Sequence, residues 1–434
     1  MKFLRYIFIL VVVSCGGGGS SSDNQNPINN NPQILSFSIS DLYAPVNSTI
    51  TLTWSSNNTN SCQGSGDWSG AKNVNGSESI QLDTVRTYQF TLTCLNTTSN
   101  ISVNTSISIV ITDETEVGSE IYNVDQESYC KLPNNNSNEY WIENFDNNII
   151  NPEIFTYEEG NGFCADENCN NWVQGWGNDE IQYYTSCNEG YSKSCKAELN
   201  STENAFVEDG VLIIQPIYNT TDPFIDPYCG PETCNPTWDY TSARLMSSSK
   251  KNITPNSEVT ICFKIPDGSG HWPAFWFLPQ GFKEFTKSWP DDGEIDQLEH
   301  SPIYHSLQEA QSSVHYLLNA SHSSTYKVEM LPNNVNFHDK FHSISIKWEY
   351  NFLNFYLDTQ TTPYFSIANN QGDFINNNYP FNGEFYFILN VASGGNLGGS
   401  PDDSRYCNNQ NCDNLPDPSI GRFLIDYIEI KSID

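Results

Sequence analysis

The sequence is poor in positive charge. Lys and Arg together number 19 against 52 Asp and Glu, for a formal net charge of −33. Nucleic acids and anionic membrane surfaces are held by clustered Lys and Arg, so neither is an expected partner of such a surface. The chain also lacks long apolar runs. The N-terminal run IFILVVV is too short to cross a bilayer as a helix. Preceded by Lys2 and Arg5, it reads as the positive and apolar regions of an export signal. No internal repeat is evident. From residue 129 onward no extended amphipathic pattern of period 3.6 occurs, which argues against a helical domain.

What is present is apolar and aromatic material in strand-length pieces. Hydrophobic residues make up 37% and aromatic residues 13% of 434 positions, enough for two or three packed domains. The segment Val12–Cys15 (VVSC) resembles the lipobox of bacterial lipoproteins, which implies cleavage after residue 14 and a lipid on Cys15. Residues 15–31 (CGGGGSSSDNQNPINNN) then form a flexible tether. The protein is accordingly expected to be extracytoplasmic and anchored by lipid in a bacterial membrane, at the outer membrane or cell surface.

Thirteen cysteines are present. With Cys15 lipidated, twelve remain to pair in an oxidising compartment. Cys164/Cys169, Cys229/Cys234 and Cys407/Cys412 share the spacing C-x4-C in loop-like sequence. No H-x-x-x-H spacing accompanies them, so small disulfide-closed loops are favoured over zinc sites. A further loop holds Cys187 and Cys195.

Residues 32–113 read as a small all-β unit. Ile50, Leu52 and Trp54 share one face by alternation, as do Tyr88, Phe90, Leu92 and Cys94. Short strands between Asn/Ser/Gly turns imply a sandwich, with Cys62 and Cys94 as a candidate bridge between its sheets. LTW (52–54), Cys62, WSG (68–70) and TYQFTLTC (87–94) resemble bacterial immunoglobulin-like modules, for which a spacer role is favoured over glycan binding. Residues 114–128 are a polar linker. Residues 129–434 alternate or run apolar for strand lengths (EVTICFKIP, FHSISIKW, EFYFILNVA, RFLIDYIEI), and imply a large two-sheet jelly roll. The fold class is therefore all-β: an immunoglobulin-like sandwich followed by a concanavalin-like jelly roll.

The stretch WPDDGEIDQLEH (289–300) carries the chemistry. In a strand, residues two apart share a face, so Glu294 and Asp296 point one way and Glu299 points the other. A β-bulge near Gln297 and Leu298 resets the alternation and brings all three carboxylates to one side. Clustered carboxylates repel, which raises at least one pKa. Glycoside hydrolysis with retention uses such a pair, one carboxylate attacking and one protonated donor. A calcium site and a solvated acidic edge are the rival readings; the apolar spacers Ile295 and Leu298 favour a sheet over a calcium loop.

GEIDQLE resembles the active-site signature of glycoside hydrolase family 16. WGNDEIQYYT (176–185), TSARLMS (241–247), GHWPAFWFLP (270–279), SSVHY (312–316), LNVASGGNLGG (389–399) and FLIDYIEI (423–430) resemble further segments of its laminarinase branch, in order. Ala243, Gln297 and His300 depart from that pattern. The resemblance implies a jelly-roll endo-β-1,3-glucanase, with mixed-linkage β-1,3-1,4-glucan as an additional substrate. It assigns Glu294 as nucleophile, Asp296 as assisting carboxylate and Glu299 as acid/base. Trp272, Trp276 and Trp289 match tryptophans at or near the cleft, where flat rings pack on sugar faces. Asn178, Glu180 and Arg244 match polar cleft residues, with Glu180 also a candidate structural partner for Arg244. His315 matches a histidine near the acid/base. Glu143 and Asp426 match positions near a structural calcium. No organic cofactor is required, the partner is a β-glucan, and a monomer is expected. The alternatives are the same fold acting on an agar or carrageenan, and a noncatalytic surface glycan-binding lipoprotein.

Overall fold

The computed structural model describes residues 31–39, 43–112, 128–187, 195–228, 237–332 and 334–433. The signal, Cys15, nearly all of the tether, most of the 114–128 linker, and Cys229 with Cys234 lie outside the described residues.

The chain is all-β. Residues 33–112 form a three-stranded sheet (Gln33–Ile39, Ser48–Asn57, Gly76–Leu82) and a five-stranded sheet ordered Tyr43–Pro45, Ile101–Thr112, Arg86–Asn96, Ser61–Gly66, Gly70–Lys72. Alternation puts Ile50, Leu52, Trp54, Tyr88, Phe90 and Leu92 inside, where they pack with Phe37, Trp68 and Ile107. Cys62 and Cys94 are bonded, but within one sheet rather than between two. They are directly opposed partners on the neighbouring strands Ser61–Gly66 and Arg86–Asn96, with Cα atoms 4.0 Å apart.

Residues 128–433 build two eight-stranded sheets packed face to face. One sheet runs, in spatial order, Thr156–Glu158, Arg244–Met246, Phe385–Ser393, His271–Pro279, Glu294–Glu299, Glu309–Leu318, Ser321–Met330, with Asn252–Ile253 also paired to Phe385–Ser393. The other includes Val211–Ile214, Phe423–Ser432, Ser257–Lys264, His342–Trp348 and Phe352–Leu357. Between them lies a core rich in aromatics, among them Phe263, Phe275, Phe277, Trp348, Phe355, Phe385 and Phe387. Each such side chain contributes about 1.5–3 kcal/mol when fully buried. The Trp348 indole finds its acceptor in the carbonyl of Phe381, as a buried N–H requires.

Four disulfides join described cysteines of this domain. Cys164–Cys169, Cys187–Cys195 and Cys407–Cys412 close short loops. Cys130–Cys262 ties the start of the domain to a central strand across 132 residues of sequence.

Because Phe275, Phe277, Ile295, Leu298, Leu245 and Leu389 face the core, their neighbours face outward from the first sheet. Register sets these outward residues in rows across the strands. One row is Tyr326, Ser313, Asp296, Trp276, Ile388, Met246. The next is Gln311, Glu299, Ala274, Asn390, Arg244, Glu158. Adjacent rows on one face of a sheet are about 7 Å apart, so together they form a track about as wide as a sugar ring.

Candidate active site

The carboxylate strand breaks its ladder where its spacing requires. Asp296 pairs with Ser313 and Glu299 with Gln311, so three steps on one strand oppose two on the other. Against the strand on its other side, Asp296 pairs with Trp276 and Leu298 with Phe275, which isolates Gln297 as the extra residue. The bulge is held from two directions. The fully buried Gln297 side chain donates to the carbonyls of Val259 and Ile344 in the opposite sheet. Its own carbonyl, freed from the ladder, accepts the Ser312 hydroxyl at 2.6 Å. Glu299 thereby returns to the face that holds Asp296.

Around the carboxylates the contacts are specific. Ser313 Oγ lies 2.6 Å from Asp296 Oδ2 and 3.2 Å from Glu299 Oε2. Trp272 Nε1 donates to Glu299 Oε1 at 3.1 Å. His315 Nε2 lies 3.1 Å from Asp296 Oδ2 and 3.7 Å from Glu294 Oε1. Burial, then the Asp296 charge, pushes Glu294 up to about 8 and Glu299 up to about 7, against the opposing pull of His315. Burial alone would neutralise His315, but its hydrogen bond to Asp296 and the surrounding carboxylates outweigh this and raise it to about 10. The site therefore contains an imidazolium among three carboxyl groups.

Beyond Trp276 the track is polar and aromatic. Trp276 donates to Asn390 Oδ1 at 2.8 Å, Asn390 Nδ2 donates to Tyr184 Oη at 3.2 Å, and Tyr184 donates to Glu180 Oε2 at 3.1 Å. Asn178 and Gln182 also donate to Glu180. The Arg244 guanidinium lies between the Trp176 and Trp276 rings, 4.3 and 4.7 Å from their centroids. Its ion-pair partner is Glu158, at 2.5 Å, and not Glu180. The reason is register: Glu158 is opposite Arg244 on the adjacent strand, while the Glu180 carboxylate is occupied by three neutral donors. Burial would raise Glu158, but Arg244 and Lys283 bring it down to about 2.

Trp289 is 43% exposed and packs against His322 at a tilt of 43°, with centroids 4.6 Å apart; Trp272 is nearly covered. Ile295 and Leu298 are core residues. His300 is buried and turned to the Glu309 carbonyl at 3.0 Å. Glu143 and Asp426 stand apart from this group. Both are half-buried and raised, by burial first and then by Asp146.

Several residues of the site were not singled out from sequence. Ser313 was legible in principle, since it lies two before His315 and so shares its face. Trp176 and Asn390 lie inside recognised segments. Glu158 and His322 stand outside any motif, and only strand pairing brings them in.

A sheet-borne cluster of carboxyl groups, flanked by aromatic rings and amides, is the equipment of a glycoside hydrolase. Comparison with known proteins makes this specific. Residues 217–401 match the model of glycosyl hydrolases family 16. The chain is 30% identical over 232 residues to a glucan endo-1,3-beta-glucosidase of Cryptopygus antarcticus, covering 53% of this chain and 75% of that protein. It is 28% identical over 298 residues to a beta-glucanase of Rhodothermus marinus, covering 67% and 83%. Among solved structures, the laminarinase catalytic domain of Thermotoga maritima superposes with a TM-score of 0.51 at 30% identity, covering 68% of this chain and 98% of that one. The chain belongs to glycosyl hydrolases family 16.

Two predictions follow from this geometry. Replacing Arg244 by Met leaves buried Glu158 with Lys283 alone and lowers unfolding stability by about 3 kcal/mol; a urea titration showing a loss well under about 1 kcal/mol would contradict the pairing. The two glutamates share one proton between their raised pKa values. Below that range both are protonated and above it both are ionised, so a reaction that needs one of each form is fastest between. The kcat/KM profile on a glucan is then a bell with both limbs above about pH 5. An acid limb at the pKa of a free glutamate would count against this.

Proposed function

We propose that the protein is a retaining, endo-acting hydrolase of β-1,3-glucan, with Glu294 as nucleophile and Glu299 as acid/base. The observation that carries the assignment is the bulge that sets Glu294, Asp296 and Glu299 on one face of the sheet. Burial and mutual repulsion raise both glutamates, so the pair keeps one proton between them: one carboxylate to attack and one acid for the leaving oxygen. The resemblance of GEIDQLE to the family signature supports Glu294 in the first role and Glu299 in the second.

In the first step Glu294 attacks the anomeric carbon while Glu299 protonates the departing sugar. In the second, Glu299 takes a proton from water as that water releases the sugar from Glu294. Asp296, tied to Ser313 and His315, fixes the charge between them. Trp289, Trp276 and Trp272 offer faces or edges to the sugar rings, and Asn178, Glu180 and Arg244 order the polar side of the track. The substrate reading is supported by the three relatives compared above, whose names are glucan endo-1,3-beta-glucosidase, beta-glucanase and laminarinase.

The same proposal takes Cys15 as the lipidated residue that anchors the protein on the extracytoplasmic side of a bacterial membrane. It takes residues 32–113 as an immunoglobulin-like spacer. Both tryptophans of that unit, Trp54 and Trp68, are buried, so neither presents a flat ring to a glycan. Glu143 and Asp426 remain the residues proposed to face a structural calcium.

The test is release of reducing ends by the mature chain from laminarin, lichenan, agarose and carrageenan. Laminarin is cut fastest, and lichenan reports mixed-linkage activity. Binding without cleavage would mean a lectin-like protein, and preference for agarose or carrageenan would move the substrate class. Glu294→Gln lowers kcat by at least about 10⁴-fold with the fold intact. Glu299→Ala loses about 10²–10⁴-fold and recovers in part with azide on substrates with good leaving groups. Undiminished turnover in either variant would refute its role. Cys15→Ala moves the protein from the membrane fraction to the soluble one; unchanged fractionation would refute the anchor.

A further inference from the structure

His315 is not the end of the chain of contacts that begins at the carboxylates. Its Nδ1 lies 2.8 Å from Nε2 of His322 on the edge strand Ser321–Met330. The two ring planes lie within 17° of each other, with centroids 5.1 Å apart, so the rings meet edge to edge. The exposed Trp289 indole lies on the outer side of His322. The cluster thus spans two strands and a loop, from the catalytic carboxylates to the mouth of the cleft.

The proton count follows from the charge of His315 among the carboxylates. His315 Nε2 faces Asp296 and Glu294 and must carry a proton to do so. An imidazolium carries a second proton on Nδ1, which needs an acceptor. Nε2 of His322 is that acceptor, so His322 is neutral with its own proton on Nδ1. The charged and titratable groups around His315 are Glu294, Asp296 and Glu299 from the carboxylate strand and His322 from the edge strand. Around His322 there is His315 alone, with Trp289 packed against it at a tilt. Burial and the neighbouring His315 charge both depress His322, which agrees with a neutral ring there.

We propose that His322 is a positioning residue for the hydrolysis: by accepting the Nδ1 proton of His315, it holds that imidazolium with Nε2 on Asp296 and Glu294. It touches neither sugar nor reacting carboxylate. Its effect is to fix the direction and charge of the ring that offsets the repulsion among the carboxyl groups. The catalytic consequence rests on the proposed glycosidase reading; the coupling between the two rings does not.

The experiment replaces His322 by Phe, which keeps a ring between Trp289 and His315 and removes the acceptor, and by Gln, whose amide oxygen accepts Nδ1–H. His315 is titrated by nitrogen-detected NMR of its ring in each full-length protein, and turnover of laminarin is measured beside it. In His322→Phe the His315 midpoint falls by about one pH unit. In the same variant kcat drops about tenfold, with KM changed less than about twofold, as expected for one lost charge-assisted hydrogen bond. His322→Gln restores the midpoint toward that of the parent. A midpoint unmoved in His322→Phe overturns the proposal, whatever happens to kcat or thermal stability. So does a His322→Gln midpoint that stays with the Phe variant. A midpoint that shifts as described in a parent that cuts no glucan would sink the glucanase reading and leave the histidine pair standing.

Discussion

One extra residue in one strand controls the site. Without a bulge at Gln297 the alternation of the sheet would send the Glu299 side chain into the aromatic core, where an unpaired carboxyl group costs several kcal/mol. With it, Glu299 rejoins the outward row and Leu298 takes the core position. The bulge is not left to local preference. It is fastened across the core by the Gln297 amide N–H groups and along the sheet by Ser312, so the carbonyl freed from the broken ladder still has a partner.

The rest of the cleft follows from putting those carboxyl groups in register with neighbouring strands. Pairing places Ser313 beside Asp296, Asn390 in the row of Glu299, and Arg244 beside Glu158. Each charged group in the track is thus met by a partner on an adjacent element. His315 offsets the carboxyl repulsion at one end and Glu158 holds Arg244 at the other, leaving the middle to tryptophans and amides. Such an arrangement is costly in isolated stability, and perturbed carboxyl groups gathered on one surface mark a functional site.

Much of this was legible in the sequence because it is periodic or local. The alternation in TITLTW and TYQFTLTC identified the core faces of the first unit, and the uneven gap between Glu294, Asp296 and Glu299 required the bulge. Short-range cysteine pairs could be read from spacing. What depends on pairing between distant strands could not. Cys62 and Cys94 share a sheet because of a register that no local pattern encodes. Cys130 meets Cys262 across most of the first half of the domain. Glu158 precedes Arg244 by 86 residues, and neither its neighbours nor its spacing mark it. His322 follows a turn after His315, and only the pairing of the Glu309–Leu318 and Ser321–Met330 strands brings the two rings together.

The alignment of Glu294 with a sugar held over this row is most directly read by trapping. A fluorinated glucosyl fluoride, slow to turn over, should leave a covalent sugar on the enzyme, and peptide mapping by mass spectrometry should place that mass on Glu294, with the configuration at the anomeric carbon of the normal product retained. A sugar attached to a different residue, or an inverted product with no adduct at all, would contradict the account.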